Sequence, residues 1–197
     1  NLMVLMESGI AQSVVDEIYQ QELQYRVGPT YKSGEPLGIY SYEINYPQVG
    51  RYWSANNIRY KVVKKTDTER EVVAMNLSYA KNSDKNKVKK VVIPNTVALA
   101  GKTYRVVGVN KNAFKGLKNL TTVTIGKNVR NIGAKAFYGC KKLKTVKIQT
   151  KKCTFSGKSI WKKTSKKLVV KVPKSALKKM RKQLKKSGLK AKAVKAA

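Results

Sequence analysis

Hydrophobic residues recur through the middle of the chain with a constant step of 23 residues. Residues 113–125 read Ala-Phe-Lys-Gly-Leu-Lys-Asn-Leu-Thr-Thr-Val-Thr-Ile, and residues 136–148 read Ala-Phe-Tyr-Gly-Cys-Lys-Lys-Leu-Lys-Thr-Val-Lys-Ile. At the end of each copy two hydrophobic residues alternate with polar ones, as Val123 and Ile125 do, which predicts a short strand with one buried face. The Ala-Phe-x-Gly segment predicts a helical turn on the return path between successive strands, with its Phe pointing inward.

The spacing Leu120-x-x-Val123-x-Ile125-x-x-Asn128 follows the skeleton of leucine-rich repeats, whose period is roughly 20–29 residues. One such unit cannot bury its own apolar face, whereas stacked units bury the faces of one another. We therefore predict an α+β repeat solenoid, a short leucine-rich-repeat stack with an N-terminal β-hairpin and a C-terminal capping helix. The predicted core consists of Val91, Ile93, Val109, Phe114, Leu120, Val123, Ile125, Ile132, Phe137, Leu143, Val146, Ile148, Val170, Val172, Leu177 and Leu184.

The front end of the stack is predicted to be covered by a hairpin within residues 56–80. Ile58-x-Tyr60-x-Val62 and Val73-x-Met75-x-Leu77 both alternate as strands do, and a charged turn separates them. Repeats are expected over residues 88–173, interrupted by an insertion at residues 100–104. Ser159-Ile160-Trp161 stands where the Ala-Phe of a further, degenerate repeat would stand.

The rear end is predicted to be closed by a helix over residues 174–188. Leu177, Met180 and Leu184 mark one face of this helix, Ser175 is its candidate N-cap, and Gly188 is its candidate stop. Residues 189–197 are rich in Lys and Ala, and we interpret them as a frayed basic tail.

Residues 1–55 differ from the rest in charge and aromatic content, so the sequence predicts a boundary near residues 54–57. An amphipathic helix is predicted within residues 1–24 and a strand over residues 40–46. We interpret this part as a small aromatic and acidic segment, with the tail of an upstream domain as the alternative. Because the chain starts at Asn rather than Met, we expect it to be a processed or cut fragment.

The charge of the chain is far from balanced, and this changes the functional expectation. The sequence holds 43 Lys and Arg against 10 Asp and Glu, a formal net charge of +33. Residues 85–197 contain 34 basic residues and no acidic residue, and of those bases only Arg105, Arg130 and Arg181 are arginine. A chain selected for solubility alone would be expected to mix the two signs.

Composition also excludes several kinds of chemistry. The chain has no histidine, which excludes Ser-His-Asp and Cys-His catalysis and every His-ligated metal site. No apolar run approaches the roughly 18 residues of a membrane span. We therefore expect no catalytic residues, no cofactor and no metal. Cys140 follows Phe-x-Gly, where a small buried residue fits, and a bridge to Cys153 remains an open alternative.

These motifs together resemble a known family. Val91-Val92-Ile93-Pro94, the Ala-Phe-x-Gly repeat, Val172-Pro173-Lys174-Ser175 and the Lys-rich final helix resemble the bacterial surface (BspA-type) leucine-rich repeat over about residues 56–190. The Lys-rich form resembles C-terminal modules of secreted proteins from Clostridia-like bacteria. The resemblance implies a non-catalytic adhesion or binding module at the cell surface or outside the cell. The sequence departs from the family pattern at Trp161, where the usual Ala-Phe is missing.

We predict that the lysines bind an anionic partner, either a wall polymer or an acidic glycan, with a host or bacterial surface protein as another candidate. Lys favours attraction by charge alone, whereas base reading favours bidentate Arg, Asn and Gln, so specific DNA recognition is disfavoured. The competing interpretation is a solvated surface in which Lys protects sheet edges. The predicted binding lysines are Lys141, Lys142, Lys144, Lys147, Lys151, Lys152, Lys162, Lys163, Lys178, Lys182 and Lys185.

Two other functions stay open at this point. The chain would be the anchoring C-terminal part of a secreted enzyme if a catalytic domain lies upstream of residue 1. It would be a non-specific nucleic-acid binder if its lysines contact phosphates without reading bases.

Overall fold

The computed structural model describes residues 47–78 and 82–197. The helix predicted within residues 1–24 and the strand predicted over residues 40–46 lie outside the described residues. In chain order the strands are β1 (Tyr52–Ala55), β2 (Ile58–Lys65), β3 (Arg70–Leu77), β4 (Lys90–Ile93), β5 (Thr96–Leu99), β6 (Lys102–Val109), β7 (Thr122–Ile125), β8 (Asn131–Ile132), β9 (Thr145–Ile148), β10 (Thr154–Phe155), β11 (Val169–Val172) and β12 (Val194–Ala196). The α-helices are α1 (Asn82–Lys85) and α2 (Leu177–Lys186), and 3-10 turns span Lys174–Ala176 and Ala191–Ala193.

One side of the solenoid is a five-stranded parallel sheet in the order β12-β11-β9-β7-β4. Its register aligns one valine from every strand, and all five of these side chains are buried. The five valines are Val91, Val123, Val146, Val170 and Val194. Ile93, Ile125 and Ile148 form a second buried row. The predicted strands of the repeats and their inward residues are therefore confirmed.

The other side is a seven-stranded sheet in the order β1-β2-β3-β6-β8-β10, with β5 also pairing with β6. Strands β6, β8 and β10 pair in parallel, one rung after another, and β3 joins β6 in parallel at the front. The predicted hairpin of β2 and β3 therefore covers the first rung as expected. The insertion at residues 100–104 is the tip of a β5–β6 hairpin, whose turn residues Ala100 and Gly101 have φ of +47° and +72°.

The inward face of β3 differs from the prediction. Val72 and Ala74 are buried, whereas Val73 and Met75 are only half-buried. The pairing of β2 with β3 skips Met75, because Arg59 faces Asn76 while Tyr60 faces Ala74. One extra residue in a strand reverses which side chains point inward, so Leu77 is buried and does not share a face with Val73 and Met75, as an unbroken alternation would require.

A column of aromatic rings is buried in the core of the stack. The Phe114 and Phe137 rings stack with centroids 5.7 Å apart, and the Trp161 ring stacks on Phe137 at 5.6 Å. Both phenylalanines are buried, as predicted. Trp161 therefore takes the place of the repeat phenylalanine, and the degenerate repeat is a complete rung of the column.

Trp161 also connects this column to the terminal helix. Its indole Nε1 donates a hydrogen bond of 2.9 Å to Ser187 Oγ, and that hydroxyl donates to the Leu184 carbonyl at 2.7 Å. Met180 and Leu184 of α2 are fully buried, while Leu177 is half-buried against the core. The predicted capping helix is thus present, although Leu177 is less enclosed than a core residue.

The predicted C-terminal end of the helix is confirmed, whereas the predicted N-cap is wrong. Ser175 does not cap it: a 3-10 turn comes first, the N-cap is Ala176, and no side chain bonds there. Gly188 does end it, with φ of +102°. The Gly188 and Leu189 N–H groups donate to Lys185 and Leu184 carbonyls, both at 3.1 Å, which is the Schellman arrangement.

The tail predicted to be frayed is instead part of the fold. Residues 194–196 form β12, which pairs in parallel with β11, and Val194 is only 1% exposed. The Arg181 guanidinium donates to the Val194 carbonyl at 3.1 Å. The pattern Val-x-Ala is too short to predict a strand from the sequence. These residues form one because the edge of β11 is otherwise unpaired and because Val194 packs into a buried site beside α2.

The boundary predicted near residues 54–57 falls on strand β1 and the turn that follows it. Strand β1 pairs with β2, so Tyr52 and Trp53 belong to the same unit as the repeats.

Two glycines, Gly108 in β6 and Gly133 directly after β8, allow a test of how tightly the rungs are stacked. A Cβ at Gly133 would lie 2.4 Å from Lys111 N and 2.7 Å from Asn110 C, whereas a Cβ at Gly108 would make an ordinary contact, 3.4 Å from Val73 Cγ2. We expect Gly133→Ala to lower the free energy of unfolding by about 1–3 kcal/mol through overpacking. Gly108→Ala is the control and should stay within about 0.5 kcal/mol of the parent. Urea unfolding measures both, and equal effects of the two variants would contradict this account of the stack.

Candidate lysine-lined binding face

The outward face of the five-stranded sheet carries a row of lysines. In register across the strands, the outward residues are Val92, Thr124, Lys147, Lys171 and Lys195. The three lysines, hereafter the lysine row, are exposed and occupy three adjacent strands, β9, β11 and β12. Neighbouring strands lie about 4.8 Å apart, so the lysine stems leave the sheet at that spacing along the stacking axis.

Hydroxyl groups flank the lysine row. One pleat away on the same face, the aligned residues are Lys90, Thr122, Thr145 and Val169, and the two threonines are half-buried. None of the residues in these two outward rows of the five described strands is aromatic. The face can therefore offer positive charge and hydroxyl hydrogen bonds, but no ring on which a base or a sugar could stack.

The predicted lysines fall into separate places. Lys147 lies on this face, and exposed Lys144 immediately precedes β9. The remaining predicted lysines are all exposed, with Lys141 and Lys142 before β9, Lys151 and Lys152 between β9 and β10, Lys162 and Lys163 between β10 and β11, and Lys178, Lys182 and Lys185 on α2. The structure therefore distributes them over the strand face, the turns and the terminal helix. Their role in binding remains a prediction.

Sequence reasoning missed Lys171 and Lys195. The signal was present, because Lys171 stands between inward Val170 and Val172, just as Lys147 stands between Val146 and Ile148. Lys195 was missed because its strand was interpreted as a frayed tail.

The three arginines of residues 85–197 differ from the lysines of that stretch in the contacts that they make. The Glu71 side chain is only 7% exposed and accepts from Arg105 Nη2 at 2.8 Å and from Arg130 Nη2 at 2.7 Å. Arg181 anchors the last rung through the Val194 carbonyl. All three arginines are thus committed to internal contacts, which suits the planar guanidinium and its several donors.

The lysines of that stretch, apart from Lys87, form no salt bridge in the part of the chain that the structure describes. Described lysine salt bridges join Lys64 to Glu69 and Lys87 to Asp84. Within residues 47–78 and 82–197, no salt bridge involves a lysine after Lys87. In these ranges no carboxylate neutralises their ammonium groups, which can therefore attract an anion from outside the chain.

A family model of the BspA-type leucine-rich-repeat region matches residues 83–184 in six copies. This chain belongs to the BspA-type leucine-rich-repeat family. The resemblance seen in the motifs is therefore confirmed. No curated protein sequence matches the chain significantly.

Three solved structures of bacterial proteins are similar to this BspA-type chain. They are a leucine-rich cell surface protein from Faecalibacterium prausnitzii A2-165 (20% identity, TM-score 0.46, 62% of this chain and 30% of that one), a leucine-rich repeat protein from Bacteroides ovatus ATCC 8483 (17%, 0.40, 74% and 41%) and the pneumococcal vaccine antigen PcpA (15%, 0.32, 66% and 52%). The chain therefore spans between 30% and 52% of the lengths of these proteins.

A second cationic cluster surrounds a tyrosine in a turn of the BspA-type repeat. Lys115 Nζ and Lys163 Nζ lie 5.7 Å and 5.4 Å from the centroid of the Tyr138 ring, within cation–π range. The hydrogen bond to Lys163 lowers the pKa of Tyr138, and the charges of Lys163, Lys115 and Lys135 act in the same direction. The return turns of the solenoid therefore also present positive charge.

Both cysteines are buried and neither is in a disulfide, which settles the alternative left open by the sequence. The Cys140 thiol donates to the Phe114 carbonyl at 3.1 Å, on the side of the aromatic column. Burial raises the pKa of Cys140 to about 11 and that of Cys153 to about 12. Both groups are neutral thiols at physiological pH, and structural burial of Cys140 is confirmed.

The described residues contain no cluster of three or more Cys, Asp or Glu side chains that could hold a metal ion. In the same ranges, no helix is both long and apolar enough to cross a membrane.

Glu71 provides a test of the division between arginine and lysine. We expect Glu71→Gln to lower the free energy of unfolding by about 1–3 kcal/mol, because two guanidinium groups lose a buried carboxylate. Glu69→Gln is a matched control, since the Glu69 side chain bridges Lys64 and Arg105 at 44% exposure and should contribute clearly less to stability than Glu71 does. Chemical unfolding measures the free energy of unfolding of both variants. Equal losses would show that the contact of Glu71 with Arg105 and Arg130 has no special role in stability.

The thiols give a second test. Because their pKa values lie well above 8, at about 11 and about 12, the reactive thiolate is scarce at that pH and the side chains are also enclosed. We expect an aromatic disulfide reagent to leave Cys140 and Cys153 unmodified at pH 8 in the folded protein and to modify both in urea. Absorbance of the released thiolate follows the reaction. Rapid modification of either thiol before unfolding would be inconsistent with this structure.

Proposed function

We propose that this chain is a non-catalytic binding module that holds a bacterial protein to an anionic polymer at a cell surface or outside the cell. The observation that carries the proposal is the division of basic residues after Asp84. That stretch has 34 bases and no acid. Its three arginines are committed to internal contacts, while its lysines after Lys87 form no salt bridge within the described ranges.

Such a surface attracts a polyanion through a general mechanism. Each lysine that neutralises an anionic group releases a condensed counterion, so affinity comes from mixing entropy and falls steeply with salt. Repeat solenoids also present extended surfaces on which a long ligand can lie. A wall polymer or an acidic glycan meets both conditions, and we place it ahead of a surface protein as the partner.

The observations support a binding role over chemistry within this part of the chain. The two cysteines are buried neutral thiols, and the described residues offer no metal-binding cluster. A catalytic domain upstream of residue 1 would be compatible with this proposal, because the module would then anchor an enzyme.

A nucleic acid is a weaker candidate for the partner. The outward rows of the five-stranded sheet carry no aromatic side chain for base stacking, and the exposed cations are mainly lysines rather than base-reading arginines. Phosphates alone would still be attracted by charge.

The test is retention of the whole chain on immobilised heparin and on immobilised polyphosphate, compared with neutral dextran of similar density. We expect strong retention at low salt. The logarithm of the binding constant should fall linearly with the logarithm of the salt concentration. A soluble duplex DNA competitor measures the nucleic-acid alternative. Retention that does not depend on salt, or that is equal on dextran, would refute the proposal.

A further inference from the structure

We infer that the lysine row, Lys147, Lys171 and Lys195, is the contact for a linear acidic polysaccharide that lies across the strands, parallel to the stacking axis of the solenoid. This inference rests on the proposed function and adds to it the site, the class of polymer and the direction in which the polymer runs.

The first argument is the fixed spacing of the row. Lys147 pairs with Lys171 and Lys171 pairs with Lys195 in consecutive parallel strands, so their Cα atoms follow the sheet spacing. At about 4.8 Å per strand, the row extends over about 10 Å. A chain of anionic sugars that runs along this line meets ammonium groups in regular order, whereas a chain that runs along one strand meets a single lysine of the row.

The second argument is that edge protection does not explain the row. Lysines commonly protect the open edges of sheets, and Lys195 on edge strand β12 fits that use. Lys147 on β9 and Lys171 on β11 do not, because each of these strands is paired on both sides. Like charges on adjacent strands are unfavourable in the free protein. An anion between them removes that repulsion, so binding gains more here than at an isolated lysine.

The third argument is the chemistry beside the row. Thr124 continues the row on the next strand, and Thr122 and Thr145 lie one pleat away on the same face. Their hydroxyls can exchange hydrogen bonds with sugar hydroxyls and ring oxygens. Because no aromatic residue occupies these two rows, the face lacks the stacking platform that single-stranded nucleic acid uses. Charge with hydroxyls favours a polysaccharide that bears sulfate or carboxylate groups.

The experiment compares two variants with the same total charge. One replaces the row (Lys147→Gln, Lys171→Gln, Lys195→Gln), and the other replaces three exposed lysines of α2 (Lys178→Gln, Lys182→Gln, Lys185→Gln). Fluorescence anisotropy with labelled heparin oligosaccharides and labelled oligogalacturonate, both of graded length, measures affinity in the full chain. The two ligands distinguish sulfate from carboxylate as the bound group.

We expect the row variant to weaken binding by roughly tenfold or more and to reduce the salt slope by about 2, as the loss of three contacts predicts. The α2 variant should weaken binding less than about threefold, in proportion to the general loss of charge. Affinity should rise with oligosaccharide length until the ligand spans about 10 Å and then increase only slowly.

Equal weakening by both variants would overturn the inference and leave the proposed function standing. No salt-dependent binding by the parent chain to either ligand would overturn both. If the row variant proves unstable in urea unfolding, the single charge reversal Lys171→Glu replaces it, with Lys182→Glu as its control and a loss of roughly fivefold or more expected for Lys171→Glu alone.

Discussion

Each rung of this solenoid is buried only by the rungs on either side of it, and this constraint governs the rest of the structure. The aligned valines from Val91 to Val194 and the stacked rings of Phe114, Phe137 and Trp161 are two of the places where one rung packs on the next. A stack of this kind leaves an uncovered apolar face at each end. The hairpin β2–β3 covers one end, and α2 with β12 covers the other.

The same stacking explains how the protein can carry so much uncompensated charge. With the inward residue of every strand buried, the alternate residue must point to solvent, where an ammonium group keeps its hydration. The surface repulsion is therefore opposed by a continuous apolar interior rather than by ion pairs. Among the described residues, the one enclosed carboxylate is that of Glu71, and it is matched by Arg105 and Arg130.

Much of the fold could be predicted because the repeat makes each position comparable with its equivalent 23 residues away. Phe114 and Phe137, or Val123 and Val146, predict one another. The errors occurred where no equivalent position exists. Met75 is bulged out of the pairing between β2 and β3, and Ser175 lies inside a 3-10 turn rather than at the N-cap of the helix. Val194 becomes a strand residue only because β11 has a free edge.

The sequence by itself determined the rungs, their inward residues, the closing helix and the positive charge of everything after Asp84. These follow from short-range periodicity and composition, which any segment carries without reference to the others. Only the tertiary structure decided that Lys147, Lys171 and Lys195 form one line, and that the three arginines after Asp84 bond to internal acceptors while the described lysines after Lys87 form no salt bridge. The reason is that the register between parallel strands, including a last strand of three residues, sets which distant side chains become neighbours.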